Sequence, residues 1–404
     1  MNYLSTVSKL NSAYSFQKTN NIDLDDQVSL VKNKKDFKEF FHIPFTIYQK
    51  NPYWVPPFWK EFNDFFHSSN PFWNHAETAL FIAYKNNQPV GRIAAIIDHL
   101  YCKNIGRNIG FFGFFECIND FAIAKKLFYT AEKWVSSKKM SILQGPIDGR
   151  IDNGCGFLYQ GFNIQPSLLS TYSPKYYLTF AEKYKMKKIR DQFSYYIDLT
   201  KPLPTQLQKK AHQSAQSGVR IRRFNRFRTN KELNWWINLF LETFAHHWGY
   251  VPVSAKEVKS RFGINQMRWI VDPNLFLIAE INNEPVAYLW ATPDYNQLFK
   301  KMNGKLTLPN MLKFFTEKKQ ITTGKLHLVG IKKNARHQHI ASYLNYESLK
   351  EMQKRGYQGA EVGWIDEKNT IAHKTIAITE ARAYKKSRVF EKKIQTDKQE
   401  TDHL

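Results

Sequence analysis

Cysteine is scarce in this chain. Cys102, Cys117 and Cys155 form no C-x-x-C pair and leave an odd thiol, which argues against a disulfide framework and for a reducing compartment. Long hydrophobic runs are missing too: no stretch approaches the roughly 18–20 apolar residues that span a bilayer. The N-terminal twenty residues lack an apolar h-region, so neither a membrane span nor a secretory signal is expected. Acid is in deficit. The sequence carries 59 basic and 35 acidic side chains, a formal charge of +24. Such a field favours anionic partners: nucleic acid, an acidic membrane surface or a polyphosphate. A solvated lysine-rich surface explains the same number, so charge alone does not choose.

What is present is a folded chain of ordinary polarity, 43% hydrophobic and 23% charged, long enough at 404 residues for two domains. Aromatics reach 15% and cluster, as in Phe111-Phe112-Gly113-Phe114-Phe115, which signals core or a ligand pocket. Residues 1–33 are polar and aperiodic and are expected to form a loosely ordered leader, with 395–404 as a similar tail.

Between these ends the chain repeats itself. Phe81-Ile82-Ala83-Tyr84-Lys85-Asn86-Asn87-Gln88-Pro89-Val90 recurs as Leu277-Ile278-Ala279-Glu280-Ile281-Asn282-Asn283-Glu284-Pro285-Val286. An apolar run, an Asn-Asn turn and a second apolar run predict a β-hairpin in each copy. Each hairpin is followed by strand, helix and strand: 109–117, 122–136 and 141–145 in the first half, and 325–331, 340–355 and 359–365 in the second. Both helices carry apolar residues at helical spacing, and a helix between two strands implies a parallel βαβ unit. The expected organisation is therefore α/β (α+β), with two similar halves over 34–200 and 201–394. Each half holds a mixed, mostly antiparallel sheet. The boundary is placed at Thr200-Lys201-Pro202-Leu203-Pro204 because two prolines there favour a linker.

The order hairpin, strand, loop, helix, strand is that of the GNAT acyltransferase fold, and several stretches resemble a family of tandem GNAT-like bacterial proteins. They are Pro52-Tyr53-Trp54-Val55-Pro56-Pro57, Gly91-Arg92-Ile93-Ala94-Ala95-Ile96, Gly110 to Glu116, Gln144-Gly145-Pro146, His247-Trp248-Gly249-Tyr250-Val251-Pro252 and Ala360-Glu361-Val362-Gly363-Trp364. Together they cover about residues 37–394. The family is related to bacterial ceramide synthase-type N-acyltransferases, and some relatives carry labels of transcriptional regulation. The resemblance implies a cytoplasmic N-acyltransferase, peripheral to the inner membrane face. It would move an acyl group from acetyl-CoA or a longer acyl-CoA to an amine-bearing small molecule or lipid. Anionic membrane is an expected peripheral contact; nucleic acid and metal are not expected partners.

In GNAT enzymes a loop of pattern [RQ]-x-x-G-x-[GA] cradles the diphosphate with backbone N–H groups at a helix start. This place reads Arg336-His337-Gln338-His339-Ile340-Ala341. Arg336 and Ala341 fit, and His339 replaces the glycine that lets phosphate approach closely. Three readings stay open: a loop that still binds, with a histidine donating to phosphate; one that takes another acyl carrier or a smaller anion; and a dead site. By the same resemblance Gly330 and Ile331 supply amide donors to the developing oxyanion, and Glu361 is the candidate base. A charge at a solvent-facing strand edge is the competing reading of Glu361. Asn369 opens the last helix as in many GNAT enzymes, but the tyrosine position seven residues on holds Ile376, so the resemblance leaves the thiolate to be protonated through water or another group, such as Tyr384.

The first half has no phosphate loop, since Glu116-Cys117-Ile118-Asn119-Asp120 runs straight into its helix. That half is expected to bind substrate. Glu116, Asp152, Asn153 and Cys155 are its candidates, with Trp248 and Trp364 of the second half. The family pattern N-D-E-C-G appears here as Asp152-Asn153-Gly154-Cys155-Gly156, and Cys155 reads either as a nucleophile or as a small residue at a tight turn. The run Arg220, Arg222, Arg223, Arg226, Arg228 reads as a strand with one basic face. The helix bearing Trp235, Trp236, Leu239, Phe240 and Phe244 reads as a core stripe or the roof of an acyl pocket. An inactive GNAT-fold binding protein, touching nucleic acid through its basic surface, is the alternative to an enzyme.

Overall fold

A computed structural model describes residues 27–245, 247–262, 271–336 and 338–395. The chain forms two compact units, one of residues 1–191 with 387–404 and one of residues 192–386.

The first unit contains β1 (Val28–Leu30), α1 (Lys34–Ile47), α2 (Trp59–Phe66), β2 (Ala76–Lys85), β3 (Gln88–Asp98), α3 (His99–Ile105) and β4 (Ile109–Cys117). It continues with α4 (Phe121–Ser137), β5 (Ile142–Gly145), β6 (Phe157–Gln160) and α5 (Tyr176–Lys183). β1 to β4 pair antiparallel in sequence order, and β4 pairs parallel with β5. Asn86 and Asn87 both take positive φ, 51° and 60°, the twist that a two-residue hairpin turn requires. Asp120 caps α4 by accepting from the Ala122 N–H, so the helix starts with no loop before it. Leu127, Phe128, Ala131, Trp134 and Val135 of α4 are buried against Phe112, Phe115 and Leu143 of the sheet. Each large side chain withdrawn from water contributes roughly 2–3 kcal/mol. Phe37, Phe40 and Phe41 of α1 pack with Phe62 and Phe66 of α2 in a separate aromatic layer.

The second unit starts inside β7 (Lys187–Asp198). It runs through α6 (Thr205–Gln216), β8 (Arg220–Arg223), α7 (Thr229–Phe244), α8 (Ala255–Arg261), β9 (Phe276–Ile281), β10 (Glu284–Pro293), α9 (Asn296–Met302), α10 (Leu308–Glu317) and β11 (Thr323–Ile331). α11 (Ile340–Lys354), β12 (Gly359–Asp366), α12 (Thr370–Ala377) and the first part of β13 (Arg382–Lys393), up to Lys386, complete it. Its sheet repeats the first: β8, β9, β10 and β11 pair antiparallel, β11 pairs parallel with β12, and β12 pairs antiparallel with residues 192–198 of β7. Asn282 and Asn283 repeat the positive-φ turn at 53° and 64°. The mixed α/β fold with a parallel βαβ unit in each half is thus present as expected.

Two segments differ from the sequence reading. Residues 28–30, placed in the leader, form a strand on β2, with Val28 and Val31 buried and Asn33 capping α1. The division falls at 191 rather than 200, and residues from 387 onward belong to the first unit. There Phe390 to Lys393 pair antiparallel with Gly145 to Ile142. An exposed edge of β5 would leave its peptide groups unpaired, and the chain covers it from its far end.

Candidate functional site

In the second unit β11 and β12 are hydrogen-bonded over Thr323 to Leu326 and Gly359 to Val362. Their pairing stops there, although the strands continue to Ile331 and Asp366. The opening coincides with a bulge. Trp290 faces Leu328 and Ala291 faces Leu326, which leaves His327 as the extra residue. His327, Leu328 and Val329 are half-buried in a strand that begins buried.

The phase of the ladder fixes which amides face the opening. Lys332 N–H donates to the Val286 carbonyl at 2.9 Å, so Gly330 and Tyr288, two residues back in register, also form a hydrogen-bonded pair. The intervening Val329 and Ile331 therefore direct their peptide groups away from β10. By this phase the Ile331 N–H points away from β10, whereas the Gly330 N–H is directed at Tyr288. Gly330 is needed for another reason: a Cβ there would lie 2.4 Å from the Tyr288 ring and 2.6 Å from Thr243 Oγ1.

The loop after β11 leads to α11, whose first N–H groups have no intrahelical acceptors. His339 sits immediately before the helix with φ 53° and ψ 21° and makes no capping hydrogen bond. A left-handed residue at this point explains why glycine suits the position. His339 and Arg336 are exposed, so neither fills the opening between the strands, while Ile340 is buried and Ala341 half-buried. Gln338 is half-buried, and its buried Oε1 makes no hydrogen bond among the described residues. His337 lies outside the described residues. Asn369 is committed to α12, accepting from the Ala372 N–H at 3.1 Å. It thus opens α12 as the sequence suggested, and Ile376 is a buried core residue.

Glu361 does not face solvent. It is 3% exposed and forms ion pairs with Lys325 and, at 2.5 Å, with Lys385. The Tyr384 hydroxyl donates to the same carboxylate. Lys325 and Glu361 are side-by-side partners in the parallel register. Burial raises the Glu361 carboxyl, but the two ammonium groups more than offset this and hold it well below the ordinary carboxylate range. Burial, reinforced by Glu361, pushes the Tyr384 phenol above its usual value. Burial also lowers Lys325. Loss of hydration, with Lys325 nearby, lowers the half-buried His327 to about 3, a neutral imidazole whose Nε2 meets Thr292 Oγ1 at 2.8 Å. The sequence-predicted base and acid are thus in contact. Neither titrates near neutrality, where general acid–base work is done.

The first unit closes the corresponding wedge with its own chain. β4 and β5 pair only over Ile109 to Phe111 and Ile142 to Gln144. Beyond them Ile147 N–H donates to the Phe112 carbonyl at 2.8 Å. The Phe114 N–H, on a residue with φ 48°, donates to Asp148 Oδ1 at 2.6 Å. Two bulge residues, Phe114 and Phe115, lie between the pairs Arg92–Glu116 and Ala94–Gly113, so an amide freed from the ladder is satisfied by a carboxylate of the same chain. A Cβ at Gly113 would stand 2.2 Å from the Ile147 carbonyl oxygen.

Glu116 sits beside this closure. It accepts from the Tyr177 hydroxyl at 2.8 Å, opposite Arg92, which is 5% exposed and donates to the Phe40 carbonyl at 2.7 Å. Enclosure pushes the Glu116 carboxyl up to about 7, against the pull of Arg92. Asp148 rises to about 6 for the same reason, opposed by the Phe114 N–H and Arg92. Cys155 is buried and bridges Ile147 within the turn. Asn153 donates to the Asp148 carbonyl at 2.8 Å, and Asp152 pairs with Arg150 at 3.4 Å. These three residues hold the closing loop together, and the turn reading of Cys155 agrees with that geometry.

The remaining candidates are dispersed. Trp248 is half-buried in the turn after α7, and Trp364 is half-buried where the β7–β12 register shifts. Arg222 is held by Glu280 and Glu232 at 2.6 and 2.9 Å, and Arg223 by Glu351 at 3.5 Å, so part of the arginine run is used internally. Trp236, Leu239 and Phe240 of α7 are buried. Sequence reasoning missed Lys325, Lys385, Arg92 and Asp148. The available signal was a charged residue inside an otherwise apolar strand, which Lys325 and Arg92 both show.

No family model matches the chain. It is 28% identical over 391 residues to "Protein YghO" of Escherichia coli (strain K12), across 95% of this chain and all of that one. It is 27% identical over 376 residues to "Bacterial ceramide synthase" of Caulobacter vibrioides, across 91% of this chain and 97% of that one. Among solved structures it resembles a tandem GNAT protein from the clavulanic acid biosynthesis pathway, with a TM-score of 0.54 and 9% identity. That likeness covers 91% of this chain and 98% of the other. A GNAT-related glucosamine N-acetyltransferase region of a fungal multi-domain β-N-acetylglucosaminidase also scores 0.54, at 12% identity, over 90% of this chain and 38% of that one.

Proposed function

We infer, from a chain that has the tandem GNAT fold, an acyltransferase whose second unit accepts acyl-CoA and passes the acyl group to an amine. The observation that carries this reading is the parting of β11 from β12 after Leu326 and Val362, ahead of a helix start with free amides. The orphaned Gln338 oxygen and the exposed Arg336 suit a polar ligand at that loop. The Caulobacter relative's name supports a lipid amine as acceptor.

In the reaction the amine nitrogen bonds to the thioester carbonyl carbon, the C–S bond breaks, the amine loses a proton and the departing thiolate gains one. The Ile331 N–H supports the oxyanion of the intermediate. Glu361 is too well stabilised as an anion to be an effective base. Its part is electrostatic: it holds Tyr384 in place and offsets two buried lysines, while protons exchange with water at the open loop. Rate enhancement then comes chiefly from holding amine and thioester together. Glu116 and the closed wedge of the first unit support a substrate-holding role there instead of acyl-CoA binding.

Calorimetry with acetyl-CoA and palmitoyl-CoA tests the reading. Saturable heat that weakens about tenfold in Arg336→Ala, a loss of roughly 1.4 kcal/mol, is the expected result. No heat and no thermal stabilisation with either ligand would sink it.

A further inference from the structure

The first unit holds a buried guanidinium with one edge unused. Arg92 is 5% exposed, and its Nη1 donates to the Phe40 and Phe41 carbonyls at 2.7 and 3.4 Å. Its Nε is buried and has no hydrogen-bond partner among the described residues. Phe40 and Phe62 lie against the group, with ring centroids 4.9 and 5.7 Å away, a contact that supplies no acceptor. Glu116 and Asp148 attract it electrostatically, yet among the described residues neither forms an ion pair with it. An arginine does not shed its proton, and a buried charge calls for a partner.

Tyr48, the residue after α1, repeats the pattern. It is 3% exposed, and its hydroxyl is a second buried group without a hydrogen-bond partner among the described residues. Burial, reinforced by Glu116, pushes this phenol up, so it stays an O–H donor. Trp54 stacks on its ring at 4.9 Å. Glu116 acts on both Tyr48 and Arg92 and accepts from Tyr177 at 2.8 Å, so two idle donors and a carboxyl converge on one place. Glu116 is half-buried, and the place is reached past its carboxyl. What the arrangement lacks is an acceptor. The Nε edge of a guanidinium matches the two oxygens of a carboxylate, and the phenol adds a further donor. A phosphate dianion would be repelled by Glu116 and Asp148, whereas a carboxylate can share a proton with Glu116. The rings of Phe40, Phe62 and Trp54 suit an apolar body.

We propose that Arg92, Tyr48 and Glu116 form a binding site for a small monocarboxylate with an apolar body, its oxygens held by the Arg92 Nε edge and the Tyr48 hydroxyl. The titratable and charged groups facing Glu116 are Arg92 of β3, Tyr48, Tyr176 and Tyr177 of α5, Cys117 of β4 and Asp148 after β5. Enclosure pushes Glu116 up to about 7. As pH falls it gains a proton and donates to the ligand instead of repelling it, so affinity rises between about pH 8 and about pH 6. The site gives the substrate-holding role of the first unit a chemical class and to that extent rests on the acyltransferase reading. Occupation by a carboxylate does not.

Calorimetry of the full-length chain with benzoate, hexanoate, benzamide and benzylamine at pH 6 and pH 8 is the test. Benzoate and hexanoate give saturable heat, tighter at the lower pH, whereas benzamide and benzylamine give none. Tyr48→Phe, which deletes only the idle hydroxyl, melts no lower than wild type and binds benzoate about tenfold more weakly. Glu116→Gln keeps a donor beside the ligand and removes the pH dependence of binding. Absence of benzoate and hexanoate heat in wild type overturns the proposal and leaves the two donors to water. So does benzylamine binding more tightly than benzoate, or an unaltered benzoate affinity in Tyr48→Phe. Acyl-CoA calorimetry on the same proteins separates the two readings: intact acyl-CoA heat without carboxylate heat removes this site alone.

Discussion

Tyr384 donates its hydroxyl to Glu361, and the same carboxylate is clamped by Lys325 and Lys385. Two residues on different strands, each suggestive on its own, become parts of one buried ionic cluster. The pairing changes what each can do, because an anion held by two cations gives up its affinity for protons.

Removing that anion exposes the cost of the lysines. Glu361→Gln is expected to destabilise the protein by about 3–5 kcal/mol, since two buried ammonium groups lose their counter-charge. The folded carboxyl lies below its unfolded value of roughly 4.3. Its stabilisation is therefore fully present above that value and is lost as pH falls through the folded one. Urea titrations of both proteins should show a constant gap from about pH 6 to 8 that narrows below about pH 4.

His339 holds a left-handed backbone with a side chain attached. His339→Gly should raise stability by up to about 1 kcal/mol through relief of that strain, read from thermal melts. Acyl-CoA binding should persist in this variant. Its loss would mean that the imidazole itself donates to the diphosphate.

Glu116 and Asp148 behave in the opposite sense to Glu361. Carboxyls raised to about 7 and 6 keep their protons in the fold at pH values where the unfolded chain has released them, so stability declines as pH rises from about 4.5 towards 7. Glu116→Gln keeps an acceptor for Tyr177 and removes that penalty. Its melting temperature should exceed the wild-type value at pH 8, with the difference fading at pH 5.

Gly113 marks the closed wedge of the first unit. Gly113→Ala drives a methyl group against the Ile147 carbonyl oxygen, and a loss of about 1–3 kcal/mol is expected from chemical denaturation. A neutral result would mean that the 146–149 segment yields easily and that the wedge can open.

Much of the fold was readable along the chain. The two Asn-Asn turns between apolar runs, and the helical spacing of Leu127, Ala131 and Trp134, are local signals whose physical causes lie within a few residues. The short run from Cys117 into α4 was equally local, and Asp120 caps that helix. Lys325 stood out only as a charge in an apolar strand, and Lys385 lies in the basic run 385–388, so neither sequence context names Glu361 as the buried partner.

By itself the sequence determined the repeat, the hairpins and the βαβ order, since turn chemistry and hydrophobic period act over short range. Tertiary structure alone decided that Phe390 to Lys393 close the first sheet, that Asp148 occupies the Phe114 amide, and that Glu361 is buried between two lysines. Those outcomes depend on strand register and on contacts between distant segments. A one-residue change of register moves every side chain to the other face, and no local pattern specifies which carboxylate will meet which amide.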